Sequence, residues 1–226
     1  IPDDNFEAEL IRAGYDDVLD NYVCTENIIG ITNAHCGTPN CEINLDSVTD
    51  PSGIEDFLGL EGLSIYDSGL TSIDVSSLVN LKSLALQWND LTSLDVSTNT
   101  ELIQLRIEDN SLTSIDLSNL NKLQVLYIGR NQLTELDISN SLINNVNCNT
   151  SCSIFSTPSY SYFNAKFNDN LKCIKVNQTQ LTASSSWVSN RINSNTSYSL
   201  NCLTSCTISG TLTSVNGSNS QTVSMS

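Results

Sequence analysis

The sequence predicts an α/β repeat fold, an elongated solenoid of stacked 21-residue coils with a helical N-terminal cap and a disulfide-containing C-terminal cap. Three observations predict it. One pattern is written four times between residues 60 and 143: LEGLSIYDSGLTSIDVSSLVN, LKSLALQWNDLTSLDVSTNTE, LIQLRIEDNSLTSIDLSNLNK and LQVLYIGRNQLTELDISNSLI. Apolar residues return at fixed offsets, as in Leu81, Leu84, Leu86, Leu91, Leu94 and Val96, then Leu102, Leu105, Ile107, Leu112, Ile115 and Leu117. An asparagine returns with them at Asn89, Asn110 and Asn131. A fixed period of this length marks an array whose units bury their apolar faces only by stacking.

These offsets spell L-x-x-L-x-L-x-x-N-x-L, the leucine-rich-repeat pattern. Within one copy, Leu84-Ala85-Leu86 alternates inward and outward and reads as a short strand. Asn89 then turns the chain, and a buried asparagine side chain can satisfy the backbone groups that such a turn leaves unpaired. Stacked copies predict an asparagine ladder beginning where the first copy has Ser68 instead. Leu91, Leu94 and Val96 bring the chain back to the core. Asn99 is expected to lie outside the ladder.

Taken in order, residues 1–59 form the N-terminal cap and an irregular first coil. Asp3 or Asp4 caps a helix carrying Phe6, Leu10, Ile11 and Ala13, with Gly14 near its stop. A short turn around Val18 and Leu19 follows, and Ile28-Ile29-Gly30-Ile31 reads as a strand. Ile54, Phe57 and Leu60 feed the repeats, which span 60–148 with Asn144–Cys148 as a last strand. Residues 149–202 form the closing coil and cap: Phe163, Phe167, Leu171, Ile174 and Val176 as its apolar set, then Trp187, Val188 and Ile192 at helical spacing. Residues 203–226 are polar and β-prone, with the Asn216-Gly217 turn signal, and read as a tail or the start of a further domain.

Composition narrows the function classes. Net charge is −16 with nine Lys and Arg, which excludes nucleic acid and anionic membrane surfaces as partners. No run of about eighteen apolar residues is present, so no membrane insertion is expected. The opening residues carry no basic-then-apolar signal segment and are expected to begin a processed chain. Eight cysteines against one histidine favour disulfides over metal ligation and an extracellular or cell-surface location. His35 stands alone, and no nucleophile elbow, phosphate loop or metal-spaced cluster appears, so no enzyme activity, cofactor or metal is expected.

The chain resembles the secreted leucine-rich-repeat proteins of Bacteroidetes, particularly flavobacteria, which carry a recurring LTSLDVSxNTxL segment. The likeness covers IPDDNFEAELIRAGYDDVLD, the GIEDFLGLEGL entry at 53–63, the repeats and NDNLKCIKV at 168–176. It implies a secreted or surface protein that binds or adheres. It also implies O-glycosylation at Ser47, in the triplet Asp46-Ser47-Val48. Four N-glycosylation triplets start at Asn149, Asn177, Asn195 and Asn216.

The candidate ligand site lies on the concave face, where the framework does not dictate side chains. One outward column holds Ser64, Ala85, Arg106, Tyr127 and Asn147; the next holds Tyr66, Gln87, Glu108, Gly129 and Asn149. Asp67, Trp88, Asp109 and Arg130 flank them. Tyr66, Gln87, Trp88, Arg106, Glu108, Tyr127 and Arg130 are the predicted contacts for a protein or glycan, since aromatics and arginine dominate interfaces. A row at Asp74, Asp95, Asp116 and Asp137, each two residues before a serine, caps the next turn or recruits calcium; it lacks the glycines of a calcium repeat.

Cys24, Cys36 and Cys41 precede the repeats, and Cys148, Cys152, Cys173, Cys202 and Cys206 follow them. Bonded Cα atoms lie about 4.4–6.8 Å apart, so pairing within each end is expected. Cys36–Cys41, Cys148–Cys152 and Cys173–Cys202 are the expected pairs, although spacing alone does not derive the connectivity. Cys24 and Cys206 then remain for contacts between molecules, and the alternative function is a fibre subunit that self-associates head to tail into filaments.

Overall fold

A computed structural model describes residues 1–34, 42–46, 48–143, 163–183 and 192–202. The helices are α1 (Asp4–Ala13), α2 (Thr25–Ile28) and α3 (Gln178–Ala183), with a 3-10 turn at Ile54–Asp56. The strands are β1 (Asn33–Ala34), β2 (Gly62–Ser64), β3 (Ser83–Ala85), β4 (Gln104–Arg106), β5 (Val125–Tyr127), β6 (Leu136–Asp137), β7 (Phe163–Asn164), β8 (Cys173–Lys175) and β9 (Ser197–Ser199). A six-stranded parallel sheet runs β1-β2-β3-β4-β5-β7, and a three-stranded parallel sheet runs β6-β8-β9.

In the larger sheet Leu63 pairs with Leu84, Leu84 with Leu105 and Leu105 with Leu126, a step of 21 residues each time. These leucines, with Leu81, Leu86, Leu91, Leu102, Ile107 and Leu112, are fully buried in one core. Each buried leucine contributes roughly 1.5–3 kcal/mol. Ala85 and Gln87 alternate with them onto the opposite face of the sheet.

The asparagines do for the backbone what the leucines do for the core. Asn110 Oδ1 accepts the Leu91 N–H at 3.0 Å, and its Nδ2 donates to Leu86 O at 2.8 Å. Asn89 treats Leu70 N and Ile65 O alike, and Asn131 treats Leu112 N and Ile107 O alike. Ser68, at the head of the ladder, donates its N–H to Asn89 Oδ1. Asn168 continues the row, accepting from Leu133 N at 3.0 Å and donating to Ile128 O at 3.0 Å.

Asn99 lies outside this row, as expected, yet it carries buried bonds of its own. It is fully buried, and its Nδ2 donates to Val75 O and Leu78 O, both at 2.9 Å. Gln180 of α3 does the same for Ile138 O and Ser141 O at the far end.

At the N-terminal end Asp3 caps α1, its Oδ1 accepting from Asn5 N and Phe6 N. Its Oδ2 accepts from Thr49 N, Thr49 Oγ1 and Asp50 N at 2.9–3.0 Å, tying the helix to the segment before the repeats. Phe6 stacks on Phe57 at 5.6 Å. Gly14 ends α1 with φ +83°, a left-handed conformation that glycine adopts without penalty. One expectation fails here. Ile28 closes the short helix α2 rather than opening a strand, and the strand is Asn33–Ala34. The β-branched run is used instead to bury Ile28 and Ile31 as single contacts. Val18 and Leu19 are both 52% exposed and anchor nothing in the core.

At the C-terminal end Leu126 pairs with Phe163, a step of 37 residues where the earlier ones are 21. The strand beside β5 is therefore β7, not residues 144–148, which lie outside the described residues. Cys173 and Cys202 are bonded with Cα atoms 5.7 Å apart. Cys24 is free and exposed. Cys36, Cys41, Cys148, Cys152 and Cys206 lie outside the described residues, as do Ser47, Asn149 and Asn216.

Candidate binding face

The face of the six-stranded sheet that points away from the leucine core gathers all seven predicted contact residues. Register places Ser64, Ala85, Arg106, Tyr127 and Asn164 in one column. The next holds Tyr66, Gln87, Glu108, Gly129 and Lys166, knitted by bonds such as Trp88 N to Glu108 O at 3.1 Å and Arg130 N to Lys166 O at 2.8 Å. The expected ends of these columns, Asn147 and Asn149, are corrected to Asn164 and Lys166, because the longer connection moves the next strand to β7. Gly129 fits this spacing: a Cβ there would stand 2.8 Å from Lys166 O.

A third column holds Asp67, Trp88, Asp109, Arg130 and Phe167, and all five have φ between 53° and 65°. The turn into the asparagine ladder requires this left-handed backbone, which costs a non-glycine residue about 1–2 kcal/mol. Glycine or asparagine would relieve it. The chain places Trp88, Arg130 and Phe167 there instead. Phe167, expected in the core of the closing coil, is 47% exposed at this position, and Trp88 is 52% exposed.

Neighbouring columns interlock. Tyr66 meets Trp88 edge to face at 6.3 Å, and its hydroxyl donates to Asp46 Oδ2 at 3.3 Å. The Asp46 charge and burial together push the Tyr66 phenol above its ordinary pKa. Arg106 lies 5.3 Å from the Tyr127 ring and donates to Glu108 Oε1 at 3.1 Å. Burial raises the Glu108 carboxyl above the ordinary glutamate range, against the opposing pull of Arg106. Arg130 sits 3.6 Å from Asp109 and 4.6 Å from the Phe167 ring, and Lys166 approaches the same ring at 5.0 Å. Gln87 is 6% exposed between these groups.

Sequence reasoning missed Asp46, Lys166 and Phe167. The NDN triplet at 168–170 repeats the turn asparagine after Phe167 and was the available signal. The aspartates of the second row each accept the N–H of the serine two residues on, as in Asp95 Oδ1 from Ser97 N at 2.9 Å, an Asx turn in every case. Hydrogen bonds from those serines hold Asp74, Asp95 and Asp116 below the ordinary aspartate range. Asn177 donates its amide to Ser139 O at 2.9 Å, and Asn195 lines an open cleft with Lys166 and Phe167.

No protein-family model matches the chain, and no curated protein matches it in sequence. Among solved structures it is similar to the functional domain of InlJ from Listeria monocytogenes, at 27% identity and a TM-score of 0.53, over 77% of this chain and 36% of that one. The fold is that of a leucine-rich-repeat protein. An internalin from the same organism, InlF, aligns at 19% identity and a TM-score of 0.38, over 66% of this chain and 44% of that one. This chain thus spans about a third to under half of the structures it matches. The InlJ domain is described as including a cysteine ladder; residues 42–147 here contain no cysteine, and the ladder is of asparagines. Among the described residues no helix is long and apolar enough to cross a membrane.

Proposed function

We propose that the chain is an extracellular or cell-surface, non-enzymatic recognition module that binds a protein or glycan through this outward face of its sheet. The observation that carries the reading is the left-handed column. Three of its five positions hold large side chains where the backbone favours glycine, and strain of this kind persists where side-chain identity matters for another reason. Those side chains are aromatics and an arginine, the types that anchor interfaces. The Cys173–Cys202 bond supports an oxidising compartment, the likeness to a listerial leucine-rich-repeat domain supports an adhesion-type role, and the Bacteroidetes resemblance supports secretion. The structured ends, α1 with its Asp3 clasp and α3 with Gln180, serve as caps for the exposed ends of the core.

Screening the chain against arrays of glycans and surface proteins tests this reading. A partner competed by the Trp88→Ala variant's loss is expected; partners that bind wild type and a Trp88→Ala, Tyr127→Ala double variant equally would refute it. A second reading, a fibre subunit, is favoured by the free and exposed Cys24. Sedimentation over a concentration series separates the two: the recognition module stays monomeric, whereas a fibre subunit grows.

A further inference from the structure

One end of the binding face holds buried polar atoms that no described residue satisfies. Gln87 is 6% exposed, and its Oε1 has no hydrogen-bond partner among the described residues. Glu108 Oε2 and Asp46 Oδ1 are likewise buried without one. Gln87 and Glu108 are neighbours in one column, and Asp46 reaches that column through Tyr66. Buried polar groups in folded proteins are nearly always paired, so two such atoms in one column and a third beside it call for an explanation.

All three atoms are acceptors, and donors that reach them are what is missing; the Ser64 hydroxyl and Arg106 Nε, also buried on this face without a partner, bond none of the three. Arg106 holds Glu108 Oε1 through Nη2, and its Nε bonds none of the three. Its charge offsets only one of the carboxylates there, Asp46, Asp67 and Glu108, while Arg130 is drawn toward Asp109 and Phe167. Two aromatic rings, Tyr66 and Trp88, stand at the rim of this acidic stretch.

Resting on the proposed binding role of this face, we propose that its stretch beside Tyr66 and Trp88 takes the side chain of a lysine or arginine from a protein partner, which donates to Gln87 Oε1 and Glu108 Oε2. Lysine and arginine carry donors and no acceptors, which matches these three oxygens. Their charge balances the surplus carboxylates, and the rings favour a cation at their faces. A neutral sugar hydroxyl brings acceptors along with its donor and leaves the charge unbalanced.

Nuclear magnetic resonance of the isotope-labelled chain tests this with three probes: N-acetyl-arginine amide, its uncharged analogue N-acetyl-citrulline amide, and the neutral disaccharide di-N-acetylchitobiose. The Trp88→Phe variant assigns the Trp88 indole signal against that of Trp187. The arginine probe is expected to move the Trp88 indole and Gln87 amide signals, and the citrulline probe to leave them in place. Glu108→Gln should weaken the arginine probe about tenfold, the loss of one charge-assisted bond. Gln87→Met, which keeps volume and removes the acceptor, gives an independent check should Glu108→Gln unfold the chain. If citrulline or the disaccharide moves those signals as well as arginine does, the cation proposal falls while the binding face stands. If no probe moves them at millimolar concentration, the proposal falls as well. Shifts confined to other surfaces overturn both.

Discussion

Asn110 and Glu108 stand two residues apart, yet they belong to columns that follow opposite rules. The column of Asn110 holds the same residue at Asn89, Asn131 and Asn168, and in every copy the carboxamide oxygen and nitrogen are both bonded to backbone. The column of Glu108 reads Tyr66, Gln87, Glu108, Gly129, Lys166, different at each step, and two of its members keep a buried oxygen with no partner among the described residues. Sameness with full pairing is what a structural duty looks like, because every repeat presents the same orphaned turn. Variation with unfilled hydrogen-bonding capacity is what a surface looks like when its complement lies outside the chain.

The sharpest way to break that contrast is Asn110→Ala. It strands the Leu91 N–H in the core and takes a donor from Leu86 O, so unfolding in urea should show a loss of about 1–3 kcal/mol. A loss no larger than that of an exposed substitution would mean the ladder bonds are dispensable. Asn99→Ala should cost less, about 0.5–1.5 kcal/mol. Its two carbonyl partners, Val75 O and Leu78 O, also accept from Leu78 N and Leu81 N, so no donor is orphaned. If Asn99→Ala matched Asn110→Ala, orphaned donors would not be what sets the cost.

Acid should erode the N-terminal clasp. Burial pushes the Asp3 carboxyl up, but bonds from Asp50, Thr49 and Phe6 outweigh it and hold it below the ordinary aspartate value. A carboxyl depressed on folding stabilises the fold fully above its unfolded pKa, about 3.9, and the contribution disappears as pH falls through the folded value. The urea midpoint should therefore fall below about pH 4, and Asp3→Asn should flatten that fall. An unchanged pH profile in the variant would remove Asp3 from the account. The smallest effect is expected for Asp95→Ala, since its Asx turn is exposed and water replaces the lost bond; its thermal midpoint should stay close to wild type.

The parts of this molecule that repeat were legible in the sequence. The buried leucines and Asn89, Asn110 and Asn131 follow from period alone, because identical geometry imposes identical demands. Asn99 was hidden for the opposite reason: the same position holds Leu78 and Leu120 in adjacent repeats, so its role has no echo. Phe167 was read as core because an aromatic is usually buried, and the 37-residue step before β7 concealed that it lines up with Trp88 and Arg130. Asp46 lies outside the repeats, and only the folded chain brings it to Tyr66. The left-handed backbone under Trp88 is likewise invisible until the turn is built.

Measuring thermal midpoint and partner binding side by side for Trp88→Ala and Asn110→Ala tests the division between the two kinds of column most directly. The half-exposed Trp88 should leave the midpoint near wild type while weakening binding by about 1–4 kcal/mol. Asn110→Ala should lower the midpoint and, where the chain remains folded, bind nearly as wild type does. A Trp88→Ala variant that loses stability like Asn110→Ala, or that binds the partner undiminished, would contradict the account.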